Sequence, residues 1–189
     1  MKRIVIFASG SGTNAQQIID FFNNRNDAKV ELILSNKTTA KVLERATKHH
    51  ISAFSFNRSA FYKTNHVLDL LKSTKPDLIV LAGFLWLFPE SIIQEYKGKI
   101  INIHPALLPA YGGKGMYGEY VHKAVVAANE KESGITIHYV TQEYDKGAVI
   151  FQAKTKLENG ETSESLAGKI HELEYEHFPR VIAEILGKQ

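Results

Sequence analysis

The sequence contains no cysteine, and this absence excludes disulfide bonds, cysteine-based zinc sites and thiol catalysis. It has no large excess of charge of either sign, because 23 basic and 20 acidic residues leave a net charge of +3. It has no basic block, so nothing indicates a nucleic-acid partner. The first apolar run, residues 4–7, is too short for a signal peptide or a membrane span. We therefore expect a cytoplasmic protein that binds neither nucleic acid nor membrane.

The length and composition are typical of one globular domain. The chain has 189 residues, of which 44% are hydrophobic and 23% charged, enough to bury a full core. Its pI of about 8.9 favours phosphorylated or carboxylated small molecules as ligands. We expect a single domain over residues 1–189, without a linker or an internal repeat.

Short apolar segments alternate with amphipathic ones along the chain. They predict strands at 3–8, 30–34, 53–56, 77–82 and 99–104, and helices from Ala15, at 39–49, at 59–73 and at 119–129. This order predicts an α/β fold, a Rossmann-like, mostly parallel twisted sheet with helices on both faces. Two later segments, 134–141 and 147–157, predict a C-terminal antiparallel strand pair. A long C-terminal helix follows from Thr162, and Pro179 is expected to kink or break it.

An amide and an imidazole stand two residues apart at the end of the fifth predicted strand. Side chains alternate between the faces of a strand, so Asn102 and His104 project from the same side. Pro105 then forces the chain off the sheet, at the edge where open α/β sheets bind ligands. Together with Asp145, these side chains could stabilise an oxyanion and move a proton without a covalent intermediate.

A glycine-rich turn, residues 10–14, follows the first strand and opens the first helix. Free N–H groups at a helix N-terminus favour an anion. The turn fits the loose dinucleotide fingerprint, but the second strand ends at Leu34-Ser35-Asn36-Lys37, without the carboxylate that a dinucleotide needs. A single terminal phosphate is therefore the better ligand, with Thr13 and Asn14 as side-chain donors. The alternative is a tight turn that holds no ligand.

Residues 109–118 form a segment with four glycines and only one charge. Such a segment cannot build a core, and we expect it to move. Its part from Tyr111 to Gly118 carries Lys114, Met116 and Tyr117, which could contact a phosphorylated ligand. We predict that it closes over a bound substrate and excludes water.

Four motifs, spread in order along residues 3–186, carry a family resemblance. They are Ser9-Gly-Ser-Gly-Thr-Asn14, Leu81-Ala-Gly-Phe84, Asn102-Ile-His-Pro105 with Leu107-Leu-Pro109, and Gly134-Ile-Thr-Ile-His138 followed by Asp145-Lys-Gly147. This series resembles the phosphoribosylglycinamide formyltransferase family. The resemblance implies a formyltransferase fold, and transfer of a formyl group from 10-formyltetrahydrofolate to the amine of glycinamide ribonucleotide in purine biosynthesis. It implies no metal.

The resemblance also implies roles for the residues. Asn102 and a protonated His104 would stabilise the tetrahedral oxyanion, while Asp145 would raise the pKa of His104 by charge attraction and relay the amine proton. We interpret His138 as structural rather than catalytic. The ribonucleotide would contact Gly12, Thr13, Asn14, Gly83, Pro105 and Glu174.

The resemblance implies that the folate lies between the segment Leu85-Trp86-Leu87-Phe88 and the loop Thr141–Asp145. Its pocket would be formed by Leu85, Trp86, Leu87, Phe88, Asn102, Thr141, Gln142, Glu143 and Tyr144. For Trp86 and Phe88 an ordinary core position is an equal alternative. The resemblance thus implies that residues 1–100 form a phosphate-binding half and residues 101–189 a catalytic and folate-binding half.

The chain departs from the family pattern at three places. The family usually has a basic residue where Trp86 stands. It also usually has an Arg near position 64, where this chain has Thr64, and we assign the neighbouring Lys63 as its substitute. Ala106 replaces the usual Ser after His-Pro. The usual Pro-Gly-x-His is replaced by the longer segment 112–118, so His122 has no assigned role.

Three other functions remain as alternatives. A formyltransferase acting on a nucleotide sugar or on initiator tRNA usually carries a further C-terminal domain, and a formyltetrahydrofolate hydrolase usually carries an N-terminal regulatory one. We expect neither domain in this chain. A non-catalytic nucleotide-binding module would not need Asp145. We expect a monomer or a weak homodimer.

Overall fold

The computed structural model describes residues 1–188. The strands are β1 (Lys2–Phe7), β2 (Ala28–Ser35), β3 (Ser52–Ser55), β4 (Leu78–Leu81), β5 (Ile100–His104), β6 (Glu132–Tyr139) and β7 (Val149–Lys156). The helices are α1 (Thr13–Asn23), α2 (Lys41–Lys48), α3 (Arg58–Tyr62), α4 (His66–Thr74), α5 (Glu90–Glu95), α6 (Glu119–Ala127) and α7 (Ser163–Gly187).

The strands form one sheet in the order β3-β2-β1-β4-β5-β6-β7. The first five strands are parallel to one another. β6 pairs antiparallel with β5, and β7 antiparallel with β6. The predicted fold class, a mostly parallel sheet with an antiparallel C-terminal pair and a long C-terminal helix, is confirmed.

Each face of the sheet buries its own hydrophobic core. In β1, Ile4 and Ile6 belong to one core while Val5 and Phe7 belong to the other, as the two-residue period of a strand requires. The first core is covered by α1, α2, α6 and α7, and the second by α3, α4 and α5. A central strand must therefore be apolar on both faces, which is why these strands read as continuous apolar runs.

Two helical predictions differ from the structure. The helix predicted at 59–73 is two helices, α3 and α4, separated by Lys63, Thr64 and Asn65. Thr and Asn favour caps and turns because their side chains compete for backbone hydrogen bonds, so the continuous apolar spacing was misleading there. The second difference is α5, which the sequence analysis did not assign, although Pro89 and Glu90 are typical of a helix start.

Pro179 does not break the last helix. α7 continues through it over 25 residues. Pro179 is buried with Phe178 and Val181 against the first core, and this packing offsets the backbone hydrogen bond that proline cannot make. Within residues 1–188, no helix is long and apolar enough to cross a membrane.

Candidate active site

A pocket of about 430 Å³ opens at the carboxyl edge of the sheet, beside the ends of β1, β4 and β5. The strand order runs outward in opposite directions from β1 and β4, and open α/β sheets bind ligands at such a reversal. Most of the predicted site residues line this pocket: Gly12, Thr13, Asn14, Gly83, Leu85, Trp86, Leu87, Phe88, Asn102, His104, Pro105, Thr141, Glu143, Tyr144, Asp145 and Glu174. Lys63 and Gln142 are not among its lining residues.

The Asn102 amide is held by a buried histidine. The ladder between β5 and β6 pairs Asn102 with His138, and the amide Nδ2 lies 3.1 Å from His138 Nε2. The same Nε2 lies 3.6 Å from Asp145 Oδ1, and His138 Nδ1 lies 2.9 Å from the Tyr139 carbonyl. His138 is only 2% exposed. His138 can therefore orient the Asn102 amide, and its structural rather than catalytic role stays a prediction.

The imidazole of His104 is fixed from two sides. Its Nε2–H donates to the carbonyl of Tyr111 at 2.8 Å, and its Nδ1 lies 3.6 Å from Asp145 Oδ2. His104 is the last residue of β5 and is buried. The structure thus brings together Asn102, His104 and Asp145, which the sequence separates by up to about 40 residues.

The net pKa of His104 is lowered, not raised as the sequence analysis expected. Burial is the largest cause, because it disfavours the charged imidazolium, and His138 acts in the same direction. The charge of Asp145 and the Tyr111 carbonyl raise the pKa, so the predicted effect of Asp145 has the right sign but is outweighed. The free site consequently favours a neutral His104.

Asp145 stays ionised in spite of its burial. Burial alone would raise its pKa, but the nearby His138, the charge of His104 and the N–H of Gly113 together lower it. That N–H donates to Asp145 Oδ2 at 2.8 Å. The backbone of Asp145 is left-handed, with φ of 55°, which non-glycine residues rarely adopt and which often marks a functional site.

The glycine-rich turn places an uncapped helix terminus in the pocket. Gly12 is the N-cap residue of α1, with φ of 71°, and no side chain caps the helix there. A Cβ at Gly12 would lie 2.5 Å from Val42 Cγ2, so this position requires glycine. The free N–H groups of the first helical turn can therefore receive an anion.

Asn14 makes a contact that the sequence analysis did not foresee. Its Nδ2 donates to Glu174 Oε2 at 2.8 Å, while its Oδ1 is buried without a partner among residues 1–188. Burial raises the pKa of Glu174 to about 7, although the bond from Asn14 acts in the opposite direction. A buried carboxyl group and an unpaired amide oxygen thus face the same region of the pocket, where a polar ligand could pair with them.

Aromatic side chains form the opposite wall of the pocket. Phe88 is buried in the second core, while Trp86 is half-buried, and both line the pocket. Trp86 is packed edge-on against Phe56 and Phe84, with ring centroids 6.1 and 6.4 Å away. Trp86 and Phe88 therefore pack in the second core and also line the pocket, while their contact with a folate stays a prediction.

Arg58, to which the sequence analysis assigned no role, lies beside Trp86. Its guanidinium lies 4.8 Å from the Trp86 ring centroid and 5.9 Å from that of Tyr62. Lys63, the predicted substitute, is the C-cap of α3, and neither Lys63 nor Arg58 is among the pocket-lining residues. The contact between Arg58 and Trp86 depends on the packing of α3 against the segment after β4, which the sequence alone does not show.

His122 is a second residue that the sequence could not place. It lies on α6, is 4% exposed and lines the pocket, and its Nδ1 has no partner among residues 1–188. Burial lowers its pKa, and the nearby His171 lowers it further. Within the described residues no group of three or more His, Asp or Glu side chains could hold a metal ion.

An amide, an imidazole and a carboxylate that meet at the switch point of a mostly parallel sheet are characteristic of an α/β enzyme using acid–base chemistry. Comparison with known families identifies the particular family within this class of enzymes. The formyl transferase family model matches residues 2–182, and the chain belongs to that family.

Relatives cover nearly the whole chain. The phosphoribosylglycinamide formyltransferase of Bacillus subtilis is 38% identical over 99% of this chain and 96% of its own length. That of Haemophilus influenzae is 37% identical over 96% and 86%. The crystal structure of the Bacillus halodurans phosphoribosylglycinamide formyltransferase superposes with a TM-score of 0.89, at 35% identity, over 99% of this chain and 96% of that one. The family resemblance seen in the motifs is confirmed.

Proposed function

We propose that this protein transfers the formyl group of 10-formyltetrahydrofolate to the amine of glycinamide ribonucleotide, in purine biosynthesis. The products are formylglycinamide ribonucleotide and tetrahydrofolate. The observation that carries the proposal is a single pocket with an anion-binding helix terminus at one end and Asn102, His104 and Asp145 within it. The names of the relatives agree with this reaction.

The reaction needs one bond made, one broken and one proton moved. The amine nitrogen attacks the formyl carbon, and the carbonyl oxygen becomes an oxyanion to which Asn102 can donate a hydrogen bond. As that negative charge develops beside Asp145, the pKa of His104 rises, so His104 can hold the proton that the amine releases. The proton then passes to the leaving nitrogen as its bond to the formyl carbon breaks.

We assign the ribonucleotide to the half of the pocket nearest α1 and α7. The backbone of Gly12, Thr13 and Asn14 would hold its phosphate, since no side chain caps that helix terminus. Glu174 and Asn14 would meet polar groups of the ligand with the buried acceptors described above. Gly83 and Pro105 would line the remainder.

We assign the folate to the half of the pocket formed by Leu85–Phe88 and Thr141–Tyr144. A flat pterin needs apolar walls, and the aromatic and leucine side chains of the first segment offer them. Arg58, which lies beside Trp86 but outside the pocket lining, would supply a positive charge for the anionic glutamate tail, a role that sequence reasoning gave to Lys63. Gln142 stays a prediction only, because it is not part of the pocket lining.

The first experiment follows formyl transfer with glycinamide ribonucleotide present and omitted. A transferase consumes 10-formyltetrahydrofolate only when the acceptor is present. Consumption at the same rate without the acceptor would instead identify a formyltetrahydrofolate hydrolase. Activity with a nucleotide sugar or initiator methionyl-tRNA, and none with the ribonucleotide, would identify one of the other formyltransferases.

Calorimetric titration separates a monophosphate site from a dinucleotide site. Because β2 ends at Ser35 without a following carboxylate, we expect heat of binding with glycinamide ribonucleotide and none with NAD. Binding of NAD with no response to the ribonucleotide would contradict the proposal.

The compartment and the assembly state stay predictions from the sequence. We expect a cytoplasmic enzyme, a monomer or a weak homodimer, with no nucleic-acid or membrane partner. Light scattering across a range of protein concentrations checks the assembly state.

A further inference from the structure

Arg45 ties a remote helix to the phosphate turn. It lies on α2, where its Nε donates to the carbonyl of Ser11 at 2.7 Å and its Nη1 donates to Gln16 Oε1 at 3.3 Å. Ser11 lines the pocket within the turn, and Gln16 lies on α1. One guanidinium therefore holds both the turn and the helix that the turn begins.

Two further contacts press α2 against this turn. The N–H of Val42 donates to the carbonyl of Gly10 at 3.2 Å. The Val42 side chain fills the space where a Cβ on Gly12 would lie. The carbonyls of Gly10 and Ser11 thus both face α2, and the turn has little freedom to rotate its peptide groups.

The bond from Arg45 acts on the same peptide group that carries the Gly12 N–H. In a trans peptide the C=O and the N–H point in opposite directions, so the Ser11 carbonyl faces Arg45 while the Gly12 N–H faces away from it. A cationic donor on the carbonyl polarises the peptide and makes its N–H a stronger donor. Gly12 lines the pocket.

The charge of Arg45 is not cancelled by an ion pair. No carboxylate lies within ion-pair distance of it among residues 1–188, whereas Arg25, for example, is paired with Asp27. Asp20 reaches the group only through Gln16, whose Nε2 donates to both carboxylate oxygens. The unpaired positive charge of Arg45 therefore lies next to the Ser11 carbonyl of the turn.

We propose that Arg45 is a positioning residue for the substrate phosphate. It touches the turn and not the ligand, fixes the Ser11–Gly12 peptide with its N–H available, and adds positive potential behind the uncapped terminus of α1. This inference rests on the proposed function, which places a phosphorylated ribonucleotide at the turn.

The test compares two acceptors, glycinamide ribonucleotide and the corresponding riboside without the phosphate. Arg45→Gln should raise KM for the ribonucleotide about tenfold, equivalent to about 1.4 kcal/mol, with little change in kcat. The same variant should leave kcat/KM for the riboside unchanged, because the missing group is the one that Arg45 serves. Arg45→Lys, which keeps the charge but not the two-pronged geometry, should recover part of the loss.

Arg25→Gln is the matched control, since it removes an exposed, paired arginine near the far end of α1 and should change neither acceptor. Thermal melting establishes that each variant folds, and Arg45→Lys supplies the comparison if Arg45→Gln does not. Equal losses with both acceptors, or no loss with either, would overturn the role of Arg45. If the wild-type protein itself does not prefer the ribonucleotide, the proposed phosphate site fails instead.

Discussion

At His104 two opposing effects act on the same proton. Burial removes water from the imidazole and lowers its pKa, while Asp145, 3.6 Å away, raises it. Burial is stronger in the free site, so His104 is poised to gain a proton only when further negative charge appears beside it. In the mechanism that we propose, the developing oxyanion supplies that charge.

Removing either partner should lower turnover by orders of magnitude. We expect His104→Ala and Asp145→Asn each to reduce kcat by about 10²–10⁴-fold, because both side chains act on charge that develops in the transition state. Steady-state kinetics with melting curves provides the measurement. His66→Ala and Asp69→Asn, at exposed positions of α4, are matched controls. Near-normal turnover in a folded Asp145→Asn protein would refute the role assigned to the carboxylate.

The pKa of His104 itself gives a second test. It should lie below the ordinary histidine value of 6.5 in the free protein. In Asp145→Asn it should fall further, because the variant removes the charge that raises it while burial remains. NMR titration of the imidazole signals gives both values. A pKa that rises in Asp145→Asn would mean that the carboxylate does not stabilise the imidazolium.

At the scale of elements, the segment Tyr111–Gly118 is coupled directly to the site. Its Tyr111 carbonyl accepts from His104 Nε2, and its Gly113 N–H donates to Asp145. Met116 and Tyr117 line the pocket. The segment thus touches two of the three site residues, although its four glycines make it costly to order. Such a connection suits a segment that responds to substrate.

We predict that ligand binding orders this segment. Amide hydrogen exchange across residues 111–118 should slow when glycinamide ribonucleotide is added to saturation, because closure over the ligand would protect these N–H groups. The amides of β3, at the far edge of the sheet, serve as the internal reference. Unchanged exchange in 111–118 would show that the segment is a surface connection and not a lid.

At the scale of the whole molecule, the fold brings α7 against α1 and buries Glu174 beside Asn14, 160 positions away in sequence. The pKa of Glu174 is raised from 4.5 to about 7, so the folded protein binds a proton there that the unfolded chain has lost. Stability contributed by the neutral carboxyl group is complete below about pH 4.5 and is lost as the pH rises through about 7. Because Glu174 is buried only when α7 packs against α1, this dependence of stability on pH arises only in the folded protein.

Replacing Glu174 should therefore change how stability depends on pH. Relative to the wild type, Glu174→Gln should gain stability between pH 5 and pH 8, on the order of 3 kcal/mol, because glutamine has no charged form to bury. Urea unfolding at several pH values measures the difference. Glu184→Gln, on an exposed position of the same helix, should show a constant difference from the wild type. A constant difference for Glu174→Gln as well would mean that the carboxyl group is not buried in solution.

Local patterns were sufficient to predict the sheet and most helices. Periodicity identifies strands and amphipathic helices because each is set by residues close in sequence, and Asn102 and His104 share a face by alternation alone. The ordered motifs identified the family before any contact was known. Local patterns also misled, since apolar spacing could not show that Thr64 and Asn65 separate α3 from α4.

Only the tertiary structure decided how much each effect counts. The family resemblance led us to expect that Asp145 raises the pKa of His104, but burial, which depends on every element packed around the site, makes the net shift of that pKa downward. The sequence likewise could not place Arg58 on Trp86, Glu174 on Asn14 or Arg45 behind Ser11, since each contact joins segments far apart in the chain. Residue types and short-range order are properties of the sequence itself, whereas desolvation and long-range contacts exist only once the chain is folded.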